Sequence, residues 1–508
     1  MAKNLVIVES PAKGKTIEKF LWPDFKVVAS MGHIRDLPVK SLGIDIENSF
    51  APEYEINDDK KKTVASLKKL AKEANEVWIA TDEDREWEAI GWHLCNILKV
   101  DPVTTKRIVF HEITKTAIQK AVQNPKTIDL KLVDAQQARR ILDRLVWYKV
   151  SPVLWKKIRK GLSAWRVQSV AVKLIVEKER EINDFKPEES WKISVELQYG
   201  TSKFKAELHK VSGKVKKLKS REDVEKILAT LYDTLDIIKE GKTKKDTLAL
   251  TIASPLEFKL VDSVKKDSKR SPGAPFTTST IQQEGARKFG FGVKQTMMVA
   301  QKLYEGMDLG NGERTGLITY MRTDSVNLSD QAKDQAKSMI ESDFGKQYHK
   351  SRDFKTKAAW AQEAHEAIRP TDLTRKPESL VGVLDPQQLK LYTLIWKRTV
   401  ASQMADAVVE VTTFQFSPSR AENQTWQTKG EVIKFDGFMK LYIEGTDDEH
   451  DDEEDSGVLP AIEIWELLEA KQIDAAQLFS RPPARYTEAS LVKKMESEGI
   501  WRPSTYAP

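Results

Sequence analysis

The chain has 508 residues, 40% hydrophobic and 31% charged, which at about 100–200 residues per domain suits three or four cores and leaves no apolar run near the roughly 20 residues that cross a bilayer. A single cysteine, Cys95, excludes an internal disulfide and a cysteine-built zinc finger, and a start without a long apolar stretch argues against a secretory signal, so a cytoplasmic location is expected. Lys and Arg number 82 against 76 Asp and Glu, but eight of the acids sit in 447–455, and the rest of the chain is a basic body of +14 that suits a polyanionic partner.

In chain order, Asn4–Glu9 (NLVIVE) predicts a strand, and Ser10–Phe20 a helix with Ser10 as N-cap and Pro11 in its first turn. Phe25–Ala29, Glu76–Ala80 and Arg107–Phe110 predict further strands. A helix after Glu88, with Ile90, Leu94, Ile97 and Leu98 on one face, and another at Thr114–Val122 alternate with them. That alternation predicts a mostly parallel sheet covered on both faces. Leu130–Arg180 reads as helical and basic. Residues 190–260 and 406–445 alternate apolar and polar as strands do, around a mainly helical insert, 276–405. The acidic block 447–455 predicts a solvated loop, and helical signals return at Asp474–Phe479 and Glu488–Glu498.

Four constellations could carry chemistry. Thr81-Asp82-Glu83-Asp84-Arg85-Glu86 follows a strand, where open parallel sheets bind ligands. Its three carboxylates at i, i+2 and i+4 are hard oxygen donors of the kind Mg²⁺ accepts, and Glu9 ends a second strand of the same sheet. The plainer alternative is an acidic helix N-terminus favoured by the helix dipole. Lys13-Gly14-Lys15-Thr16 resembles the end of a P-loop, but Glu9 stands where its first glycine belongs, so no ATP site is expected. Residues 139–168 interleave Arg139, Arg140, Arg144, Lys156, Arg159 and Arg166 with Trp147, Tyr148 and Trp155, which suits single-stranded nucleic acid or, equally, a solvated basic helix with core aromatics. In Gly316–Ser325 (GLITYMRTDS), Tyr320 is either a packed aromatic or a nucleophile whose oxyanion Arg322 could hold. His365-Glu366-Ala367-Ile368-Arg369 begins like a zinc-protease motif but ends in Arg369, so no zinc site follows; a phosphate contact is the remaining option.

Taken together, VIVESPAKGKTIEKF, MGHIRDLP, ATDEDRE, AQQARRILDRL, SPVLWKKI, RVQSVAV, PFTTSTIQQE, GLITYMRTDS, AQEAHEAIRPT and RPPARYTEASLVKKME resemble the bacterial type IA DNA topoisomerases, in the family's order and from Leu5 to Tyr506. The resemblance implies a multidomain fold of α/β plus α and β parts: a Rossmann-like Toprim domain within a toroidal core. It implies ATP-independent relaxation of negatively supercoiled DNA, through single-strand cleavage by Tyr320, a 5′-phosphotyrosyl link, strand passage and religation. Glu9 would be the acid, Lys13 would hold the phosphate and Arg322 would steady the transition state. Glu9, Asp82, Asp84 and Glu86 would hold Mg²⁺. His33, Arg139, Arg140, Asp143, Trp155, Ser163, Ala164, Trp165, Arg166, Val167, Gln168, Arg322, His365, Trp501, Arg502 and Thr505 would line the DNA path. A monomer is expected. Rival readings are a topoisomerase III-like decatenase, a Toprim nuclease or primase, and a catalytically impaired single-strand-binding copy.

The expected domains are a Toprim unit at 1–125, with 37–62 packing toward the DNA gate, and a helical DNA-binding unit at 126–210 completed by 460–508. A β-rich arch is expected from 211–275 and 406–459, and a helical tyrosine-bearing unit at 276–405. The family continues beyond Tyr506-Ala507-Pro508, so a truncated fourth domain is expected. Composition adds a mismatch: 23 glycines, where usage near 7% predicts about 36, beside 13 tryptophans. The family has glycine where this chain has Trp87, Trp165 and Trp501. Trp147 and Trp465 join them, with Trp22 a further candidate, while Trp92, Trp155, Trp191 and Trp396 stand where it accepts an aromatic. A single cause is expected: codon UGA, read here as tryptophan, encodes glycine in the source. A divergent, tryptophan-rich copy is the alternative.

Overall fold

The run NLVIV forms β1 (Asn4–Val8) at the heart of a parallel four-stranded sheet, in the order β2–β1–β3–β4, with β2 at Phe25–Ala29, β3 at Glu76–Ile79 and β4 at Lys106–Arg107. The computed structural model describes residues 4–215, 217–232, 237–242, 248–310, 312–355, 366–445 and 459–500. In β1, Val6 and Val8 pack into one apolar cluster and Leu5 and Ile7 into another, so the sheet is covered on both faces, as the strand–helix alternation predicts. The helices are α1 (Pro11–Glu18), α2 (Lys61–Glu73), α3 (Arg85–Leu98) and α4 (Lys115–Gln123). Ser10 caps α1 through its side chain, with Pro11 in the first turn. The fourth strand stops at Arg107 instead of reaching Phe110, because the chain beyond turns to serve another part of the molecule.

Two long helices follow, α5 (Leu130–Lys157) and α6 (Arg166–Asp184). Neither has a continuous buried face: α5 buries only Val133, Gln136 and Ser151, and α6 buries none of its residues.

The β-rich part is antiparallel and closed. Six strands pair in a ring: β5 (Glu189–Tyr199), β6 (Ser202–Val211), β9 (Gln424–Phe435), β8 (Ala407–Pro418), β7 (Leu248–Arg270) and β10 (Leu467–Phe479), which returns to β5. Two short strands, Lys214–Val215 and Ile237–Lys242, add to its rim. Phe258, Phe416 and Trp426 fill its interior with residues from β5 and β10. Helix α7 (Arg221–Leu228) covers one side. Two expectations are corrected here. Residues 189–210, counted with the helical unit, supply two strands of this ring. Asp474–Phe479, read as helical, is the end of β10. Its Ala, Gln and Asp favour a helix, but Leu468, Ala470, Ile473 and Ala475 turn inward between β7 and β5, and that pairing outweighs propensity.

The helical insert comprises α8 (Thr278–Phe289), α9 (Val293–Glu305), α10 (Asp330–Asp343) and α11 (Pro386–Ser402), and α12 (Glu488–Ser497) docks on α8. Ser279 Oγ donates to Glu496 at 2.6 Å, and Glu488 accepts the Val293 N–H at 2.8 Å, capping α9 from outside. Burial raises the Glu496 pKa above its ordinary value.

One apolar cluster runs without a break from Val6, Val8 and Phe110, on the side of the parallel sheet, through Leu303, Tyr304 and Tyr320 to Leu391 and Trp396. Gly306 marks the seam. It adopts φ +116°, and a Cβ there would meet the Thr16 side chain 2.5 Å away. Thr16 in turn donates to Glu305 O at 3.0 Å and accepts from Arg314 at 2.9 Å. Gly306→Ala is therefore expected to cost about 1–3 kcal/mol, read as a lowered denaturant midpoint; an unchanged midpoint would show that the seam yields freely.

Candidate active site

Glu9 and Lys13 follow the end of β1, and Asp82 and Asp84 follow β3, at the edge where a parallel sheet presents its ligands. All four are buried. Lys13 reaches up from the first turn of α1, and its ammonium donates to both Glu9 and Asp82. Burial lowers the Lys13 pKa, against the pull of Asp82. Arg107 closes the floor, donating to the Asp82 carbonyl at 3.0 Å and pairing with Glu88 at 2.6 Å. These contacts spend charge on charge in a dry site, where an uncompensated ion is expensive.

Two phenols enter from the helical insert. Tyr304 donates to Asp82 Oδ1 at 2.7 Å and Tyr320 to Asp84 Oδ2 at 2.6 Å, with the rings edge-to-face at 5.3 Å. The other Asp84 oxygen caps α3, accepting the N–H groups of Glu86 and Trp87 at 2.9 and 3.1 Å. Arg322 stands 3.9 Å from Asp84 Oδ2. Burial raises the Asp84 pKa, with Arg322 opposing. Burial also lifts the Tyr320 phenol well above its ordinary value; Asp84 and Asp82 add to this and Arg322 works against it. The Arg322 charge is disfavoured by its own burial but held above its usual pKa by Tyr320 and the two aspartates. In this state Tyr320 is a neutral phenol hydrogen-bonded to a carboxylate.

The backbone holds Tyr320 in place. Its N–H donates to His111 O at 2.8 Å, and Gly316 N donates to Ile113 O at 2.9 Å. On the other side Thr319 N bonds Arg369 O and Thr371 N bonds Leu317 O. The segment thus lies like a strand between 111–113 and 369–371. Beyond it, Thr278 Oγ1 accepts from Thr323 N and donates to Met321 O.

A cleft of 410 Å³ opens beside this centre, lined by His33, Glu86, Trp87, Gln136, Arg139, Arg140, Asp143 and Arg322. Arg140 pairs with Asp36, and Arg166 with Asp143 at 2.9 Å. Burial lowers the His33 pKa, favouring the neutral imidazole. The structure thus brings together Glu9, Lys13, Asp82, Asp84, Glu86, Tyr320 and Arg322, and beside them His33, Arg139, Arg140, Asp143 and Arg166. Further along, Trp155 donates to Leu162 O, and Ala164 N bonds Ser151 Oγ at 3.0 Å. Ser163, Trp165 and Gln168 are exposed, and Val167 is half-buried. Arg369 is spent on Glu366 and Glu112, so it is not held ready for a phosphate. His365, Trp501, Arg502, Thr505 and the acidic block lie outside the described residues.

The expected metal set divides. Asp84 has both oxygens engaged, and Glu86 Oε2 accepts from Gln136 at 3.1 Å. Glu9 Oε2 and Asp82 Oδ2 are buried without a hydrogen-bond partner. Among the described residues no three His, Cys, Asp or Glu groups are gathered to enclose an ion. Two orphaned hard oxygens, with Glu86 at the cleft wall, still fit Mg²⁺, which takes one or two carboxylates and keeps several waters.

Sequence reasoning missed Gln136, Arg107 and Tyr304. Gln136 was findable: with Arg139, Arg140 and Asp143 it falls at i, i+3, i+4 and i+7, one face of α5. Nothing local marks Tyr304, whose partner Asp82 lies 222 residues away.

Residues 4–113 match the Toprim domain, a divalent-metal-binding domain, and residues 127–508 match the DNA topoisomerase family. The chain belongs to the bacterial type IA DNA topoisomerases, isomerases that relax DNA by transient single-strand cleavage. Within that class the likeness runs to topoisomerase I. The full-length topoisomerase I from Thermotoga maritima is 39% identical and superposes with a TM-score of 0.82, over 99% of this chain and 77% of that one. Among the described residues no helix is long and apolar enough to cross a membrane.

Lys13→Ala would leave Glu9 and Asp82 facing each other without their cation. A loss of about 3–5 kcal/mol in stability is expected, seen as early unfolding in denaturant; parent-like stability would mean that the pair carries no weight.

Proposed function

We propose that Tyr320 attacks a phosphodiester in a single-stranded segment of negatively supercoiled DNA. Supporting this above all is the Tyr320 hydroxyl on Asp84 with Arg322 beside the same carboxylate, next to a cation-lined cleft. The phenolic oxygen bonds to phosphorus, the bond to the 3′-oxygen breaks, and a 5′-phosphotyrosyl link results. The phenol proton leaves to water, with Arg322 favouring the phenolate against burial. Glu9 supplies a proton to the leaving 3′-oxygen, Lys13 holds the scissile phosphate and Arg322 steadies the charge of the five-coordinate phosphorus. Because the new ester keeps the energy of the old one, religation needs no ATP, and supercoiling provides the drive.

Mg²⁺ would supply positive charge to position the cut end for religation, and Glu9, Asp82, Asp84 and Glu86 would hold it. His33, Arg139, Arg140, Asp143 and Arg166 guide the strand, continued by Trp155 and 163–168. Tyr320 is only 4% exposed, so the tyrosine-bearing unit, 276–405, must swing away from the Toprim unit, 1–125, to admit DNA. The enzyme works as a cytoplasmic, nucleoid-associated monomer.

Tyr320→Phe should abolish cleavage and relaxation while single-strand binding survives, since binding is spread over many cations. Relaxation by purified Tyr320→Phe would sink the assignment. Asp82→Ala with Asp84→Ala should impair religation and relaxation far more than cleavage; a Mg²⁺ titration curve identical to the parent's counts against the metal set.

A further inference from the structure

Seven of the eleven tryptophans among the described residues form two sets, with Trp22, Trp92, Trp147 and Trp155 in neither. Trp78, Trp191, Trp396 and Trp426 are core residues, at most 6% exposed, and each indole N–H donates a hydrogen bond: to Glu76, Glu189, the Leu373 carbonyl and Gln424. That is how a buried indole is normally satisfied. Trp87, Trp165 and Trp465 have no hydrogen bond to the indole; Trp165 and Trp465 stand where the backbone favours glycine, and Trp87, half-buried against the cluster of Ile79, Ile90 and Leu94, lines the cleft.

Trp465 is the sharpest case. Its φ is +76°, the left-handed region where a bulky L-residue is an outlier and glycine is at home. Its N–H donates to Leu260 O at 2.7 Å in the turn that leads into β10, so the backbone geometry is fixed by pairing. The ring is 60% exposed, with only the Lys259 ammonium over it. Trp165 is the N-cap of α6, a position that favours Ser, Thr, Asp, Asn or Gly; it caps nothing and is exposed. Trp87, in the first turn of α3, puts its indole into the wall of the 410 Å³ cleft, with its ring centroid 6.0 Å from the Lys13 ammonium.

We propose that positions 87, 165 and 465 are glycine in the working protein, their codons being UGA decoded as glycine by the source organism, and that the Trp87 indole obstructs the cleft a DNA strand must enter. UGA lies one base from the glycine codon GGA, so one change of code accounts for all three sites. The statement about DNA rests on the function proposed above; the glycine assignment does not.

The coding DNA and peptide masses of the protein purified from its own cells decide the assignment: UGA codons with glycine masses at 87, 165 and 465 support it, and UGG codons or tryptophan masses overturn it. Recombinant protein decides the consequence. Trp465→Gly should raise the thermal midpoint by about 2–4 °C, whereas Trp465→Ala, which keeps the Cβ at positive φ, should not; a fall on Trp465→Gly counts against the assignment. Trp87→Gly with Trp165→Gly should tighten binding of a single-stranded oligonucleotide about tenfold and speed relaxation. Tighter binding without relaxation leaves the glycine assignment standing and defeats the proposed function. Unchanged binding overturns the obstruction.

Discussion

One buried ammonium organises the centre of this molecule. Lys13 sits between Glu9 and Asp82, from two different strand ends, and without it two carboxylates would share a dry pocket. The rest of the centre continues the same compensation. Arg107 and Glu88 neutralise each other beneath Asp82, two phenols donate to the aspartates, and Arg322 offsets Asp84. Glu9, Asp82 and Asp84 are thereby kept close together in the folded chain. The two oxygens left without partners, on Glu9 and Asp82, mark where compensation is incomplete.

The same arrangement explains why two units far apart in sequence meet here. Tyr304 and Tyr320 bury apolar rings in the shared core while their hydroxyls reach the Toprim carboxylates. Apolar packing brings the units together, and the phenol–carboxylate bonds set the register. Gly306 allows the close approach against Thr16.

Much of this was legible in the sequence, for local reasons. β1, α1 and β2 are short-range objects, built from a β-branched run, a Ser-Pro cap and a second apolar run, and they fall within a few residues of expectation. Glu9 and the Asp82–Glu86 acids were readable because strand ends point ligands one way in a parallel sheet. What failed was non-local. β10 has the composition of a helix and becomes a strand only because β5 and β7 flank it. Strands β5 and β6 were assigned to their neighbours in sequence, although their outer partners, β10 and β9, lie more than 200 residues away. The separate engagement of Asp84, as cap and as acceptor for Tyr320, depends on a contact across 236 residues that no spacing rule reports.

The strand-like seating of residues 316–320 has a consequence for how the molecule responds to its medium. Tyr320 and Gly316 are tied to His111 and Ile113 by uncharged main-chain bonds, and the ion pair across this seam, Arg369 with Glu112, is largely withdrawn from water. The cleft alongside is a field of cations. Dissolved salt screens exposed charges within about 10 Å at 0.1 M, and it leaves neutral amide bonds nearly untouched. Raising ionic strength therefore weakens the pull of the cleft's arginines on any polyanion while the bonds across the seam keep their strength. Attraction and closure are thus governed by separate physical variables.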